Sequence, residues 1–88
     1  MGRTNWKQEI MEEMSRQDER WPSVIACTLS TDELEYTFNR GFGGSEGRPF
    51  TLWTKGRVYF PVVYDGAEWA ASVPRWPTMA KTNHVGGE

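Results

Sequence analysis

Apolar residues near the beginning of the chain recur at helical spacing, at Trp6, Ile10 and Met14, with Met11 beside them. Positions four apart lie on one side of an α-helix, so this stripe predicts an amphipathic helix over residues 4 to about 20. Thr4 or Asn5 suits its cap, because a short oxygen-bearing side chain can accept a free backbone N–H. Trp21-Pro22 is expected to end it. We expect the stripe to face the core; a partner-binding helix is the alternative.

The next segment passes from a β-type pattern to a helical one. Residues 23–29, SVIACTL, predict a short strand. Ser30 or Thr31 followed by three carboxylates predicts a helix start, because a hydroxyl caps the first turn and acidic groups favour its positive end. Leu34 and Phe38 are four apart, which makes this helix about two turns long. The alternation in LEYTF favours a strand instead, and that alternative stays open.

Gly41 offers a left-handed C-cap for this second helix and opens a glycine-rich stretch, GFGGSEG, over residues 41–47. The stretch lacks the Lys-Ser/Thr ending of a phosphate-binding loop, and no clear strand–loop–helix pattern surrounds it. We therefore expect a structural loop with Phe42 tucked beneath it, and no cofactor.

The clearest pattern lies in residues 49–73, where the runs PFTLW, RVYFPVVY and AEWAASV predict a three-stranded antiparallel meander. Asp65-Gly66 is typical of a two-residue hairpin turn with positive φ. This turn aligns four pairs on an apolar face that is expected to be buried: Tyr64–Ala67, Val62–Trp69, Phe60–Ala71 and Val58–Val73. The opposite face carries Tyr59, Pro61, Val63, Glu68, Ala70 and Ser72.

The TKG link between the first two strands of the meander allows two registers. A three-residue turn with left-handed Gly56 pairs Leu52 with Val58 and Trp53 with Arg57. A two-residue turn instead places Trp53 on the face of Val58. We prefer the first, because it puts Leu52 on the apolar face that the second hairpin predicts to be buried.

These elements predict one α+β domain over residues 1–77, in which the N-terminal helix and a short second helix pack on an antiparallel sheet of three or four strands. A chain of 88 residues is too short for two separate cores, and its aromatic content of 14 % supplies large side chains for one. After Pro74 the chain is polar, so we expect residues 78–88 to form a flexible C-terminal tail.

The composition indicates where in the cell the protein is expected to work. A single cysteine, Cys27, excludes an intramolecular disulfide and suits the reducing cytoplasm. No stretch approaches the roughly 18 consecutive apolar residues that span a bilayer, so we expect a cytoplasmic protein without a membrane partner. Self-association stays open, because a core of this size is small.

Residues suited to catalysis or metal binding are few. The single histidine, His84, lies in the expected tail, far along the chain from Cys27. Zinc sites favour several Cys and His ligands, and a Ser-His-Asp set has no other base to use. We predict neither an enzyme nor a metal site. A glycosidase-like pair among the carboxylates is the remaining enzymatic alternative.

Aromatic and arginine residues of the predicted sheet are the candidates for partner binding. On the preferred register Trp53 and Tyr59 point away from the core, and Arg57 faces Trp53 at a distance that suits a cation–π contact. Arg75 and Trp76 lie between prolines after the last strand. Trp, Tyr and Arg often dominate interface energetics, so these five residues are predicted to bind a partner. The alternative is that helices cover both sheet faces and bury them.

Residues 41–77, and above all the segment VYFPVVYDGAEW, together with the closing HVGGE, resemble a family of small proteins of tailed phages and enterobacterial prophages. The resemblance covers about half of the chain, and no catalytic role is carried over from it to any residue. It implies a phage accessory protein in the bacterial cytoplasm. Such small proteins often inhibit or modulate host factors, including defence systems.

The sequence thus predicts a protein that binds a host protein and modulates or inhibits it by covering part of its surface. A small nucleic-acid-binding module, using Trp and Tyr stacking with arginine contacts, is the alternative. A DNA mimic based on the acidic helices is a third interpretation, which the net charge of −2 does not favour.

Overall fold

The computed structural model describes residues 3–39, 47–64, 67–82 and 84–85, in which helices lie on one side of an antiparallel sheet. The elements in chain order are β1 (Arg3–Thr4), α1 (Trp6–Arg16), a 3₁₀ helix (Trp21–Ser23), β2 (Val24–Cys27), α2 (Thr31–Glu35), β3 (Phe38–Asn39), β4 (Leu52–Thr54), β5 (Arg57–Tyr64) and β6 (Ala67–Pro74). The four-stranded sheet has the order β2-β4-β5-β6, and β1 pairs with β3. The predicted α+β fold, two helices on an antiparallel sheet, is confirmed.

The first helix begins as predicted, because the Asn5 side chain accepts a hydrogen bond from the Gln8 backbone N–H at 2.8 Å. Its apolar stripe is buried, at Trp6, Ile10 and Met14. The predicted extension to about residue 20 is wrong, since α1 ends at Arg16. Met11 is also not part of the buried stripe: it is 47 % exposed, because neighbouring residues lie about 100° apart around a helix.

The second helix begins where the sequence predicts. The Ser30 hydroxyl accepts the Glu33 backbone N–H, and the Glu33 carboxylate accepts the Ser30 N–H at 2.8 Å, which completes a capping box. The predicted extension to Phe38 is wrong, because α2 ends at Glu35 and Phe38 belongs to β3. The alternative strand interpretation of LEYTF holds for Phe38 alone. The predicted C-cap Gly41 and the loop up to residue 46 lie outside the described residues.

The hairpin formed by β5 and β6 has the predicted register. The confirmed Cα partners are Tyr64 with Ala67, Val62 with Trp69, Phe60 with Ala71 and Val58 with Val73. The Asp65-Gly66 turn, which predicted this register, lies outside the described residues.

The predicted register between β4 and β5 is wrong. The observed partners are Leu52 with Tyr59 and Trp53 with Val58, which is the arrangement of the two-residue turn. The Thr54 hydroxyl favours this turn, because it accepts the backbone N–H groups of Gly56 and Arg57 at 3.2 and 2.9 Å. Gly56 does not need the left-handed conformation that the longer turn requires.

The sheet has two faces, and the helices cover one of them. We call the covered side the inner face, which includes Leu52, Tyr59, Glu68, Ala70 and Ser72. The outer face carries Trp53, Val58, Phe60, Val62, Tyr64, Ala67, Trp69, Ala71 and Val73. Helix α1 packs on β6, and the core cluster is formed with inner-face residues.

The prediction that the apolar face of the hairpin is buried is therefore wrong. On β6 the buried side carries Glu68 and the small side chains of Ala70 and Ser72. Ala70 and Ser72 are small enough to let α1 approach β6, and the Ser72 hydroxyl donates to the buried Glu13 carboxylate at 2.7 Å. A helix that buries Glu13 needs such a polar partner, because burying an unpaired charge is strongly unfavourable.

The core lies between the helices and the inner face. The Trp6 ring lies 5.0 Å from that of Phe38 and 4.8 Å from that of Phe50. The thinnest dimension of the molecule is 19 Å, as expected of one helix layer on one sheet. No helix in the described ranges is long and apolar enough to cross a membrane. Residues 77–82 and 84–85 belong to neither a helix nor a strand, and the domain boundary at residue 77 stays a prediction.

Candidate protein-binding surface

The outer face of the sheet is apolar and carries no charged residue among its nine positions on β4, β5 and β6. Its alternating positions on β4, β5 and β6 place aromatic and β-branched side chains side by side. Apart from Ala71, which is buried, these side chains are partly exposed. None of them belongs to the core cluster.

An antiparallel sheet with one covered face ordinarily shows polar side chains on the other. Here the pattern is reversed, and the apolar residues face outward. Strands β5 and β6 have eight residues each, so their part of the face is about 27 Å long and about 10 Å wide. Apolar patches of a few hundred Å² are about the largest that a folded monomer exposes, and such patches are often binding sites.

A second feature lies at the end of the sheet, where Arg75 and Trp76 are fixed against the β4–β5 turn. The Arg75 backbone N–H donates to the Gly56 carbonyl at 2.9 Å, and its guanidinium donates to the Thr54 carbonyl at 3.1 Å. The Trp76 indole N–H donates to the Lys55 carbonyl at 2.9 Å, yet 62 % of Trp76 is exposed. The Arg75 guanidinium lies 5.2 Å from the Trp76 ring centroid, within cation–π range.

Arg57 is not on this surface, although the sequence predicts it there. Its strand partner is Pro74 and not Trp53. The guanidinium turns to the inner side of β6, where it donates to the Ser72 hydroxyl at 2.8 Å and to the Ser72 carbonyl at 3.2 Å. The predicted cation–π contact of Arg57 with Trp53 therefore does not fit the observed register.

Tyr59 is buried completely, so the prediction that it points away from the core is wrong. Its hydroxyl donates to Glu19 at 2.5 Å, and the Thr54 hydroxyl donates to the same carboxylate at 3.0 Å. Asp18, with a φ of 58°, turns the chain after α1 and brings Glu19 to this position. Burial, and then the hydrogen bond and charge of Glu19, raise the pKa of Tyr59 above its usual range. These contacts tie the end of α1 to the sheet.

The fold separates Cys27 from His84, which are too far apart to act as a Cys-His nucleophilic pair. Cys27 ends β2, at one edge of the sheet, where its sulfur accepts the Leu29 backbone N–H at 3.4 Å. His84 lines a cavity beside β6, at the other edge. Three strand spacings, about 14 Å, lie between these edges, which excludes direct proton transfer. The described residues contain no group of three side chains suited to hold a metal ion.

Sequence reasoning missed Phe60, Val62 and Trp69 as surface residues, because it equated apolar alternation with burial. One signal favoured the opposite assignment. Ala70 and Ser72 alternate with these bulky side chains, and small residues are typical of a strand that a helix approaches closely. Of the five predicted site residues, the structure places Trp53 on the outer face and Arg75 and Trp76 together at the end of the sheet.

No family model, no curated protein and no solved structure matches the chain. The functional interpretation therefore depends on the surface itself.

Proposed function

We propose that this chain is a protein-binding accessory protein, which docks its outer face onto another protein and covers part of that protein's surface. The observation that carries the proposal is the uncharged apolar outer face, beside an inner face that the helices already cover. An uncharged face favours an apolar patch on the partner, because a charged group there would lose its hydration without gaining a counter-charge.

The end of the sheet defines the rim of the proposed interface. Lys55 and Arg75 are exposed cations beside Trp76, so acidic residues on the partner would complement this end. Trp and Arg are frequent hot spots of interfaces. The hydrogen bonds that hold Arg75 and Trp76 reduce the conformational entropy lost on binding.

The resemblance of residues 41–77 to proteins of tailed phages supports a host protein as the partner and the bacterial cytoplasm as the location. Covering the host protein's own binding surface would inhibit or redirect it. This mode of action needs no catalytic group.

A pair of matched variants tests the proposal, because adjacent valines of β5 lie on opposite faces. Val62→Glu places a charge on the outer face, and Val63→Glu makes the same change on the other side, at a position 47 % exposed. Tagged proteins are incubated with nuclease-treated bacterial lysate at low and moderate salt, and bound proteins are identified by mass spectrometry. We expect one host protein to bind the unsubstituted chain and Val63→Glu at both salts, and to be lost from Val62→Glu.

Three outcomes would contradict this proposal. If Val62→Glu still bound the host protein, the interface would not include the outer face. A dimer seen by light scattering and dissociated by Val62→Glu would assign the outer face to a second copy of the chain. Recovery of nucleic acid alone, only without nuclease and only at low salt, would favour the nucleic-acid-binding alternative.

A further inference from the structure

Strand β5 lies between β4 and β6, so its backbone hydrogen-bonding groups are used within the sheet. The outer face therefore offers an occupant side chains only, and these are apolar apart from two indole N–H groups and one phenol. A strand laid flat on such a surface would bury backbone N–H and C=O groups without partners. An α-helix satisfies these groups within itself, so it suits this face better than an extended chain does.

The dimensions of the outer face match one helix. Strands β5 and β6 have eight residues each, which gives a length of about 27 Å, equal to that of a helix of about 18 residues. From β4 to β6 the face is two strand spacings wide, about 10 Å, and a helix with its side chains is about 10–12 Å in diameter. A helix laid along β5 would have Trp53 on one side and Trp69 on the other. Helices on both faces of one sheet form a common stable architecture.

The two ends of the outer face differ in charge. The Arg75 N–H bonds to the Gly56 carbonyl and continues the β5–β6 register, so the alternation of β6 places Arg75 on the outer side. Lys55, in the neighbouring turn, is also exposed. The opposite end of the face consists of Tyr64 and Ala67, which carry no charge. The C-terminal end of a helix has free carbonyl groups and a partial negative charge, so it complements the end with the two cations.

The carboxylate beside this turn does not face the proposed helix. Glu19 lies on the inner side, where it accepts hydrogen bonds from the hydroxyls of Tyr59 and Thr54. The positive charge of Lys55 and Arg75 is therefore available on the outer side.

We propose that the outer face binds an amphipathic α-helix of the partner protein, with the apolar side of the helix along β5 and its C-terminal end at Lys55 and Arg75. This inference rests on the proposed function, because it specifies which structure of the partner the same face binds. Recognition of this kind uses apolar anchors at positions i, i+3, i+4 and i+7 of the helix.

The probe is a blocked peptide, acetyl-Ser-Glu-Leu-Gln-Lys-Leu-Leu-Gln-Glu-Leu-Gln-Lys-Leu-Leu-Gln-Ala-Leu-Ala-amide, whose leucines form one stripe of a helix. Isothermal titration calorimetry measures its affinity. Circular dichroism measures the helix gained on binding, because a free peptide of this length is only marginally helical. In the control peptide two prolines replace the central Gln-Glu pair, which breaks the helix and keeps every leucine. We expect the control to bind at least about tenfold more weakly.

Matched variants of the protein test the position of the helix. Val62→Glu is expected to weaken binding of the helical peptide by about tenfold or more, and Val63→Glu, on the inner side, to leave it unchanged. Lys55→Glu is expected to weaken it by about two- to fivefold, because a carboxylate would then face the helix C-terminus. This change keeps the Trp76 hydrogen bond, which uses the backbone carbonyl of residue 55. Lys81→Glu, at an exposed position of the C-terminal segment, is the control and is expected to have no effect.

Nuclear magnetic resonance measures the direction of the helix. A nitroxide at the C-terminus of the peptide is expected to broaden the amide signals of Lys55 and Gly56, and one at its N-terminus those of Tyr64 and Ala67. The reverse pattern, equal binding of the two peptides, or no binding of the helical peptide would overturn the proposal. Loss of the host protein from Val62→Glu, together with no binding of the helical peptide, would keep the proposed function and exclude the helix.

Discussion

The inner and outer faces of one sheet differ in composition and in use. The inner face mixes the small or hydroxyl-bearing side chains of Ala70, Ser72 and Tyr59 with Leu52 and Glu68, and Tyr59 and Ala70 are completely buried. The outer face has the bulkier apolar side chains, including Phe60 and Trp69, and remains partly exposed. The comparison teaches that hydrophobicity alone does not decide which face of a sheet its own helices cover.

Polar groups on the buried side explain why α1 packs on the inner face and not on the outer one. Glu13 lies on the covered flank of α1, and Glu19 lies just beyond the helix. Their carboxylates accept hydrogen bonds from the hydroxyls of Ser72, Tyr59 and Thr54, all on the inner side of the sheet. The outer face has no serine, threonine or charged side chain, and its side-chain donors are two indoles and one phenol. Packing α1 there would leave these carboxylates with fewer hydrogen-bond partners.

The largest expected difference between the faces comes from neighbouring residues of β5. Tyr59→Ala is expected to lower the free energy of unfolding by about 3–5 kcal/mol, because it leaves a cavity in the core. Phe60→Ala, on the outer face, is expected to lower it by about 1 kcal/mol. Urea denaturation followed by circular dichroism measures both. Equal losses would show that the outer face is also covered.

A second test increases the packing on the covered side. A Cβ atom at Gly47 would lie 2.5 Å from Cζ2 of Trp6 and 2.8 Å from a Glu68 carboxylate oxygen. Gly47→Ala is therefore expected to destabilise the protein by about 1–3 kcal/mol. Gly56→Ala is the control, since its Cβ would lie 3.4 Å from Glu19. The same urea experiment applies, and an unchanged Gly47→Ala would place the 47–50 segment away from Trp6.

A third test uses pH, because the pKa of Tyr59 is raised by its burial and by Glu19. The folded-state pKa exceeds the unfolded value of about 10. The neutral phenol therefore stabilises the fold fully below about pH 10, and this contribution is lost as the pH rises further. The Tm is expected to fall more steeply above pH 10 for the unsubstituted protein than for Tyr59→Phe. Thermal melts between about pH 9 and 11 check this, and parallel curves would contradict it.

The smallest expected effect on stability is that of charge on the outer face. Val62→Glu is expected to change the free energy of unfolding by less than about 1 kcal/mol, because Val62 is partly exposed and lies outside the core cluster. The variant is also expected to bind less of a hydrophobic fluorescent dye. A loss as large as that of Tyr59→Ala would mean that Val62 packs inside the protein.

Local patterns in the sequence were sufficient to predict much of the fold. The spacing of Trp6, Ile10 and Met14 predicted α1, and the Ser30–Glu33 capping box predicted the start of α2. The turn chemistry of Asp65-Gly66 predicted the β5–β6 register. These features depend on residues close together in the chain, where geometry restricts the alternatives.

The features that were mispredicted depend on contacts between distant residues. Choosing the register of Trp53 required knowing which face is buried, and that depends on Ser72 meeting Glu13. Of the candidate site residues, Arg75 and Trp76 are exposed as expected, although the sequence did not predict that both would bond to carbonyls at the β4–β5 turn. The buried position of Tyr59 could not be predicted from the sequence. Its hydrogen-bond partner Glu19 is positioned by Asp18, which has a positive φ that the sequence does not indicate.

The contact between Glu13 and Ser72 joins residues 59 positions apart, which matters while the chain is being synthesised. At about 5–20 residues per second, α1 waits about 3–12 s on the ribosome before its strand appears. During that interval the nascent chain exposes apolar residues of both the helix and the growing sheet. We therefore expect rapid overproduction to favour aggregation, and slow synthesis at low temperature, with chaperones in excess, to favour the folded protein.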